Sequence, residues 1–336
     1  MQIIIPMAGK GKRMRPHTLT TAKPLIPVGG KPVVQRLVED ITRVCGEKVT
    51  EIAYVIHPSF GKEVEANLIK VAEGQGAKGS IYYQEEALGT AHAIMCAKEA
   101  LHGKTVVAFA DTLFKADFVM DTTREGVIWV QQIPDPSQFG VVKIGADGNI
   151  TDFVEKPKDF VSDLAIIGIY YFKDGDNLRN ELQYLLDNDI REKGEYQLTN
   201  ALENMKAKGL KFYPGQVTEW LDCGNKNATV YTNQRVLEFD KGKPALRGKN
   251  ITNNHSVIIE PCYIGDNVVL NNSVVGPHVS IGANSTVTNS VVTDSILQTD
   301  VKITSAVITK SMVGTGAEVT GKAADLSVSD YSQVIA

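Results

Sequence analysis

Two hydrophobic rhythms divide this chain of 336 residues. In the first 240 residues, short apolar runs alternate with stretches whose apolar positions recur every three or four residues. Runs at 2–5, 51–56, 81–83 and 106–109 predict buried strands, and the spacing at 32–44, 62–72 and 90–101 predicts helices. Strands then dominate at 127–131, 141–144, 150–155 and 165–172, before helical spacing returns at 178–186, 198–206 and 228–239. Such alternation predicts an α/β domain, a Rossmann-like mixed and mostly parallel sheet with helices on both faces.

The second rhythm begins after a polar, Gly- and Pro-containing stretch at 239–245. Phe and Trp vanish, Val, Ile, Ser, Thr and Asn take over, and apolar positions step by five or six residues. Ile281, Val287, Val292, Leu297, Ile303, Ile308, Val313 and Val319 form one series, after Ile258, Ile264 and Leu270. Asn272-Ser-Val-Val returns as Asn289-Ser-Val-Val, 17 residues later. This period predicts stacked short strands, three steps to a coil, around an aliphatic ladder. The expected division is an α/β domain over 1–240, a linker over 241–250 and a repeat domain over 251–336.

Composition excludes several classes. Apolar residues make up 43% and charged residues 22%, as in a globular protein rather than a disordered one. The longest apolar stretch, 165–172, falls far short of the ~20 residues that span a bilayer, so no membrane partner is expected. The N-terminus lacks the pattern of a signal peptide, and four dispersed cysteines without CxxC spacing argue against a zinc site or a disulfide framework. A reducing, cytoplasmic setting is the expectation.

Charge is more telling by position. The net charge of −4 lies wholly after residue 249, where three lysines face seven acids. Yet the first 38 residues hold Lys10, Lys12, Arg13, Arg15, Lys23, Lys31 and Arg36 and no acid. A local cation cluster in a balanced domain suggests a bound anion rather than general attraction to nucleic acid. The cluster overlaps Gly9-Lys10-Gly11-Lys12-Arg13, which follows the first strand. A dinucleotide fingerprint would need glycine where Met14 stands, and a Walker loop would need Gly-Lys-Ser/Thr. A phosphate-binding turn and a plain structural loop remain open on spacing alone.

Longer motifs are specific. Gly-x-Gly-x-Arg-Met-x-Pro from Gly9, Lys23-Pro-Leu-x-Pro-Val and Lys31-Pro32 resemble the signature of sugar-1-phosphate nucleotidylyltransferases, especially the glucose-1-phosphate thymidylyl- and uridylyltransferases. In the same order follow Gln84-Glu-Glu-Ala-Leu-Gly89-Thr90, Phe109-Ala-Asp111, Phe139-Gly140-Val-Val-Lys, Phe153-Val-Glu155-Lys156-Pro157 and Trp220-Leu-Asp222-Cys-Gly224. The tail is similar to the hexapeptide repeat of left-handed parallel β-helices, and that handedness comes from the resemblance.

The resemblance implies condensation of a nucleoside triphosphate, dTTP or UTP, with a sugar-1-phosphate such as glucose-1-phosphate, releasing pyrophosphate. It places nucleotide contacts at Ala8, Gly9, Gly11, Arg13, Gln84, Gly89 and Thr90, and sugar-phosphate contacts at Gly140, Glu155, Lys156 and Trp220. Arg13, Lys23 and Asp111 become the catalytic set, and Asp111 and Asp222 the ligands of Mg²⁺. Two departures occur, Ala22 where proline is usual and Ala110 where glycine is usual. A homo-oligomer assembled through the repeat domain is expected, with oligomerisation or regulation as the tail's role. A second activity, acyl transfer with His255 or His278 as base, and a non-catalytic regulatory homologue are the alternatives.

Overall fold

The computed structural model describes residues 1–322 and 325–335. Ala323, Ala324 and Ala336, all in the expected repeat domain, lie outside the described residues. The chain sorts into two compact units, Met1–Gly9 with Gln35–Trp220, and Lys10–Val34 with Leu221–Ala336. The basic loop and the last helix thus sort with the repeats, away from the compositional boundary at 240–250.

The first unit is built on one mixed sheet. Gln2–Pro6, Glu51–Ile56, Lys78–Tyr83 and Thr105–Ala108 run parallel, with Gln2–Pro6 between Thr105–Ala108 and Glu51–Ile56. The long strand Leu164–Phe172 pairs antiparallel with Thr105–Ala108, with Gly126–Gln132 and, at Ala165, with Gly140–Ile144. Ile150–Glu155 closes that edge in an antiparallel pair with Gly140–Ile144. The helices are α1 (Val33–Val44), α2 (Gly61–Gly74), α3 (Thr90–Met95), α4 (Gly175–Asp187) and α5 (Leu198–Ala207). Ile4, Ala53, Val55 and Val107 share one core with apolar residues of α3, α4 and α5. Their fully buried alternates Ile3, Ile5, Ile52 and Tyr54 face the other way. Both sheet faces are therefore covered, as continuous apolar strands require.

Two details depart from the spacing. The helix expected over 90–101 stops at Met95, where the Cys96 amide is shared between the His92 and Ala93 carbonyls, and a 3₁₀ turn follows at Lys98–Ala100. Phe212–Gln216 pairs parallel with Gly126–Gln132 although it contains Pro214 and Gly215, which hid it from a propensity reading.

In the second unit the repeats form three parallel, in-register sheets. Partners lie 17 residues apart in the first coils, as in Leu270 beside Val287, and 16 apart later, as in Val287 beside Ile303. The predicted ladder from Ile264 and Leu270 to Val319 is buried throughout. Asn267, Asn272, Asn284 and Asn289 turn the corners with positive φ of 46–60°. Asparagine tolerates that left-handed backbone better than most residues, which explains its abundance. The fold expectation therefore holds in both parts, a mixed α/β sheet followed by a parallel β-helix. No helix among the described residues is long and apolar enough to cross a membrane.

Candidate functional site

The basic loop is short on regular structure. Gly11 adopts φ +56° and opens a 3₁₀ turn, Lys12–Met14. Thr18 donates its hydroxyl to the Gly11 carbonyl at 2.8 Å, and the Met14 amide bonds the same oxygen at 2.9 Å. A Cβ on Gly11 would lie 3.1 Å from Lys23 Cβ and 3.0 Å from Thr18 Cγ2. The Lys23 stem is thus packed against the turn that carries Lys12 and Arg13. Met14 is the buried anchor, while Lys10, Lys12, Arg13 and Arg15 are exposed.

Helix α6 (Lys226–Asp240) supports that loop and Asp222 within the same unit. Asn225 caps it through the Ala228 amide at 3.0 Å. Its face carries a buried polar row, Thr229, Thr232 and Asn233. Thr229 Oγ1 lies 3.6 Å from Met14 Sδ and 3.4 Å from the Cys223 carbonyl, and Thr232 donates to the Asp222 carbonyl at 2.9 Å. The Gly224 amide donates to Asp222 Oδ1 at 2.9 Å. Gly224 leaves the room: a Cβ there would meet the carboxylate at 2.8 Å.

The first unit holds the remaining candidates in two groups. Ala8 is buried at the end of the first strand, and a Cβ on Gly9 would meet nothing within 4 Å. Neither packing nor a positive φ demands glycine there. Buried Gln84 donates to the Gly89 carbonyl at 3.4 Å and lies 3.0 Å from His92 Nδ1. Gly89, at φ +118°, presses on Tyr196, and a Cβ would come within 2.3 Å of the Tyr196 carbonyl oxygen. Thr90 accepts from the Leu198 amide at 2.9 Å and donates to Gln197 Oε1 at 3.2 Å.

Gly140 and Glu155 pair across the sheet edge, and a Cβ on Gly140 would stand 3.2 Å from Glu155 Oε2. Lys156, at φ +43°, bonds the Phe139 carbonyl through its amide, and its ammonium lies 3.3 Å from Glu155. Phe139 meets the Trp220 ring edge to face at 4.9 Å. Trp220 Nε1 and Thr199 Oγ1 are buried without a hydrogen-bond partner. Asp111 follows the strand Thr105–Ala108 in a turn pinned by the Phe109 amide on Gly168 and the Thr112 hydroxyl on Ile167. Burial pushes the Tyr170 phenol upward, and the charges of Glu155 and Asp111 add to the shift, so both carboxylates act on one side chain.

Residues 193–199 tie these groups together, a role with no signature in the local sequence pattern. Tyr196 and Leu198 bond the Leu88–Thr90 stretch, Thr199 borders Gly140, and the Lys193 ammonium donates to the Glu155 and Lys156 carbonyls at 2.9 and 2.8 Å. The segment lies about 40 residues beyond Glu155 and 100 beyond Thr90 in sequence, where local pattern carries no information about contact.

No three His, Cys, Asp or Glu side chains among the described residues gather into a set that could hold a metal ion. A hard cation at Asp111 or Asp222 would complete its oxygen shell from phosphate or water, as Mg²⁺ commonly does.

Comparison with known proteins gives the following. The family described as nucleotidyl transferase matches residues 2–238. The Bifunctional protein GlmU of Methanococcus maripaludis is 33% identical over 272 residues, covering 77% of this chain and 60% of that protein. The low-salt glycan biosynthesis nucleotidyltransferase Agl11 of Haloferax volcanii is 30% identical over 247 residues, covering 71% and 66%. A glucose-1-phosphate thymidylyltransferase of Streptomyces antibioticus is 29% identical over 273 residues, covering 77% and 71%. The chain thus spans about three fifths of the methanogen proteins. Among solved structures, a putative glucose-1-phosphate thymidylyltransferase from Bacillus anthracis has a TM-score of 0.59 at 23% identity, covering 69% of this chain and 93% of that one. A UDP-glucose pyrophosphorylase complexed with UDP-glucose has 0.58 at 22%, covering 71% and 98%. These two likenesses concern the fold.

Proposed function

The chain belongs to the nucleotidyl transferase family, and from that premise we propose that it joins a nucleoside triphosphate to a sugar-1-phosphate, releasing pyrophosphate. We assign dTTP or UTP as the triphosphate and a hexose-1-phosphate, glucose-1-phosphate first, as the acceptor. One observation carries this reading: the loop folds so that Lys23 packs on the glycine turn bearing Arg13. Two cations ten residues apart in sequence then serve one anion-binding turn.

The chemistry needs little else. A phosphate monoester is largely dianionic at neutral pH, since its second pKa is about 6. Its oxygen attacks the α-phosphorus without a proton acceptor, and pyrophosphate leaves. The obstacle is repulsion between two polyanions, which positioned cations overcome. Arg13 would grip the triphosphate through its planar fork, and Lys23 would follow charge from the α-phosphate to the departing group. Gln84 suits a pyrimidine's imide edge because one amide both donates and accepts. Glu155 would accept from sugar hydroxyls, Lys156 would face the sugar phosphate, and Gly140 and Trp220 would border the sugar. Asp111 and Asp222, matched by motif, would hold Mg²⁺. That ion would supply further charge neutralisation at the phosphoryl oxygens.

The test is a screen for pyrophosphate release with Mg²⁺, crossing the common triphosphates with hexose and amino-sugar 1-phosphates. Release that requires both substrates is expected, and none from any pair refutes the reading. The bifunctional methanogen relatives motivate a second reading, acyl transfer by the repeats. His278 has Glu238 at 2.7 Å from one ring nitrogen and Asp294 at 3.1 Å from the other, an arrangement suited to a strut more than to a base. Consumption of acetyl-CoA with an amino-sugar phosphate would favour that reading.

A further inference from the structure

We propose that the β-helix is the scaffold of the basic loop, and that Thr20, held by Asp330 of the last coil, is a positioning residue for Arg13 and Lys23. The functional half of this inference rests on the loop being a phosphate site.

The loop cannot hold its own shape. Between Lys10 and Pro32 its regular structure amounts to three 3₁₀ turns of three residues and two strands of two. Elements so short close too few hydrogen bonds to offset the entropy of ordering them. Outside contacts must fix the loop, and in this unit the coils, together with α6, provide them at both ends.

At the front, the Thr20 hydroxyl donates to Asp330 Oδ2. The other oxygen of that carboxylate, Oδ1, accepts the Thr315 amide at 2.7 Å. One side chain therefore ties the coil to itself and to the loop. Beside it, His17 Nε2 lies 3.2 Å from Ser327 Oγ, with the imidazole 1% exposed. At the rear, the Gly29 amide donates to Asn233 Oδ1 at 2.9 Å, and the same oxygen accepts from Ser280 Oγ at 2.6 Å. Asn233 completes the link by donating to the His278 carbonyl at 3.2 Å. Gly30 has no side chain where a Cβ would lie 2.2 Å from the Tyr263 ring.

Arg13 and Lys23 lie on either side of the front anchor, and Lys23 is only three residues beyond Thr20. Catalysis by placed cations is sensitive to position, because a displacement of about 1 Å can cost ~10²-fold. The last coil thus sets where these charges stand, although it carries none of the motifs.

The experiment uses the full chain in four forms, Thr20→Val, Thr20→Ser, Asp330→Ala and the double variant Thr20→Val/Asp330→Ala. Hydrogen exchange is followed at the Met14, Arg15 and Leu19 amides, which close the turns of the loop. Steady-state kinetics are run with dTTP and glucose-1-phosphate, and in reverse with inorganic pyrophosphate. We expect Thr20→Val and Asp330→Ala each to speed loop exchange about tenfold. The KM for dTTP and for pyrophosphate should rise about fivefold or more, with that for glucose-1-phosphate within about twofold. Thr20→Ser, which keeps the hydroxyl, should match the parent, and the double variant should be no worse than the poorer single one. Unchanged exchange in Thr20→Val overturns the proposal, even if Asp330→Ala fails to fold. So does a rise in all KM values together, or a Thr20→Ser as impaired as Thr20→Val. If the parent makes no nucleotide sugar, the assigned activity fails and the catalytic half of the proposal falls with it. The exchange measurement still decides whether the coil holds the loop.

Discussion

Two glycines of the motifs are glycines for opposite reasons. At Gly89 the protein leaves no alternative, because φ is +118° and the Tyr196 carbonyl occupies the Cβ position. Gly89→Ala should lower stability by more than about 2 kcal/mol in a urea titration. At Gly9 a Cβ meets nothing. Gly9→Ala should leave the urea midpoint nearly unchanged and raise the KM for the triphosphate, as expected where a ligand backs onto the chain. Equal stability losses in the two variants would contradict this contrast. Among the charged candidates, Lys23→Ala and Asp111→Asn should each cut turnover about 10²-fold or more with an unshifted melting temperature. Near-parental rates in both would remove their assigned roles. Every motif residue was visible in the sequence, because glycines and charges at fixed offsets survive as pattern. Tyr196, Gln197, Thr199 and Lys193 were not, since their part is to touch residues far away in the chain.

At the scale of elements, the serines inside the β-helix act as links between coils. Ser290 accepts the Ala306 amide at 3.1 Å and donates to the Thr288 carbonyl at 2.7 Å, while its own amide donates to Ser273. Ser290→Ala leaves a buried N–H unpaired and should cost about 1–3 kcal/mol, read as a lower urea midpoint. A loss below experimental error would show that the coil relaxes around the gap. Most strand and helix positions were legible from period alone, including the five- and six-residue ladder, but the strand Phe212–Gln216 and the early stop of α3 at Met95 were not. What the period hid was the content of α6, whose buried face carries Thr229, Thr232 and Asn233 instead of aliphatic side chains. A polar row of this kind looks solvent-facing in a sequence, and only its partners Met14, the Asp222 and Cys223 carbonyls, Gly29 and Ser280 show why it is inside.

At the scale of the whole molecule, the buried His17 and the half-buried His92 contribute to the response to acid. Burial lowers the His17 pKa from 6.5, against the raising effect of Asp330 and with the further lowering of Lys226, and burial likewise lowers that of His92 against Glu86. Below 6.5 the unfolded chain binds more protons than the folded one at these sites. Their contribution is thus present above that pH and is lost as the pH falls toward the lowered folded values. The melting temperature should therefore drop between about pH 7.5 and about pH 5.5, and less so in a His17→Gln/His92→Gln variant. An equal drop in that variant would assign the acid sensitivity elsewhere.

The central claim, attack of a sugar phosphate oxygen on the α-phosphorus, is best tested by following that oxygen. With glucose-1-phosphate carrying ¹⁸O in its three non-bridging positions and unlabelled dTTP, the phosphorus spectrum of the products reports where the label goes. The account predicts label in the bridge of the new diphosphate, shifting both of its phosphorus signals, and unlabelled pyrophosphate. Label in pyrophosphate, or a diphosphate whose bridge is unlabelled, would contradict it.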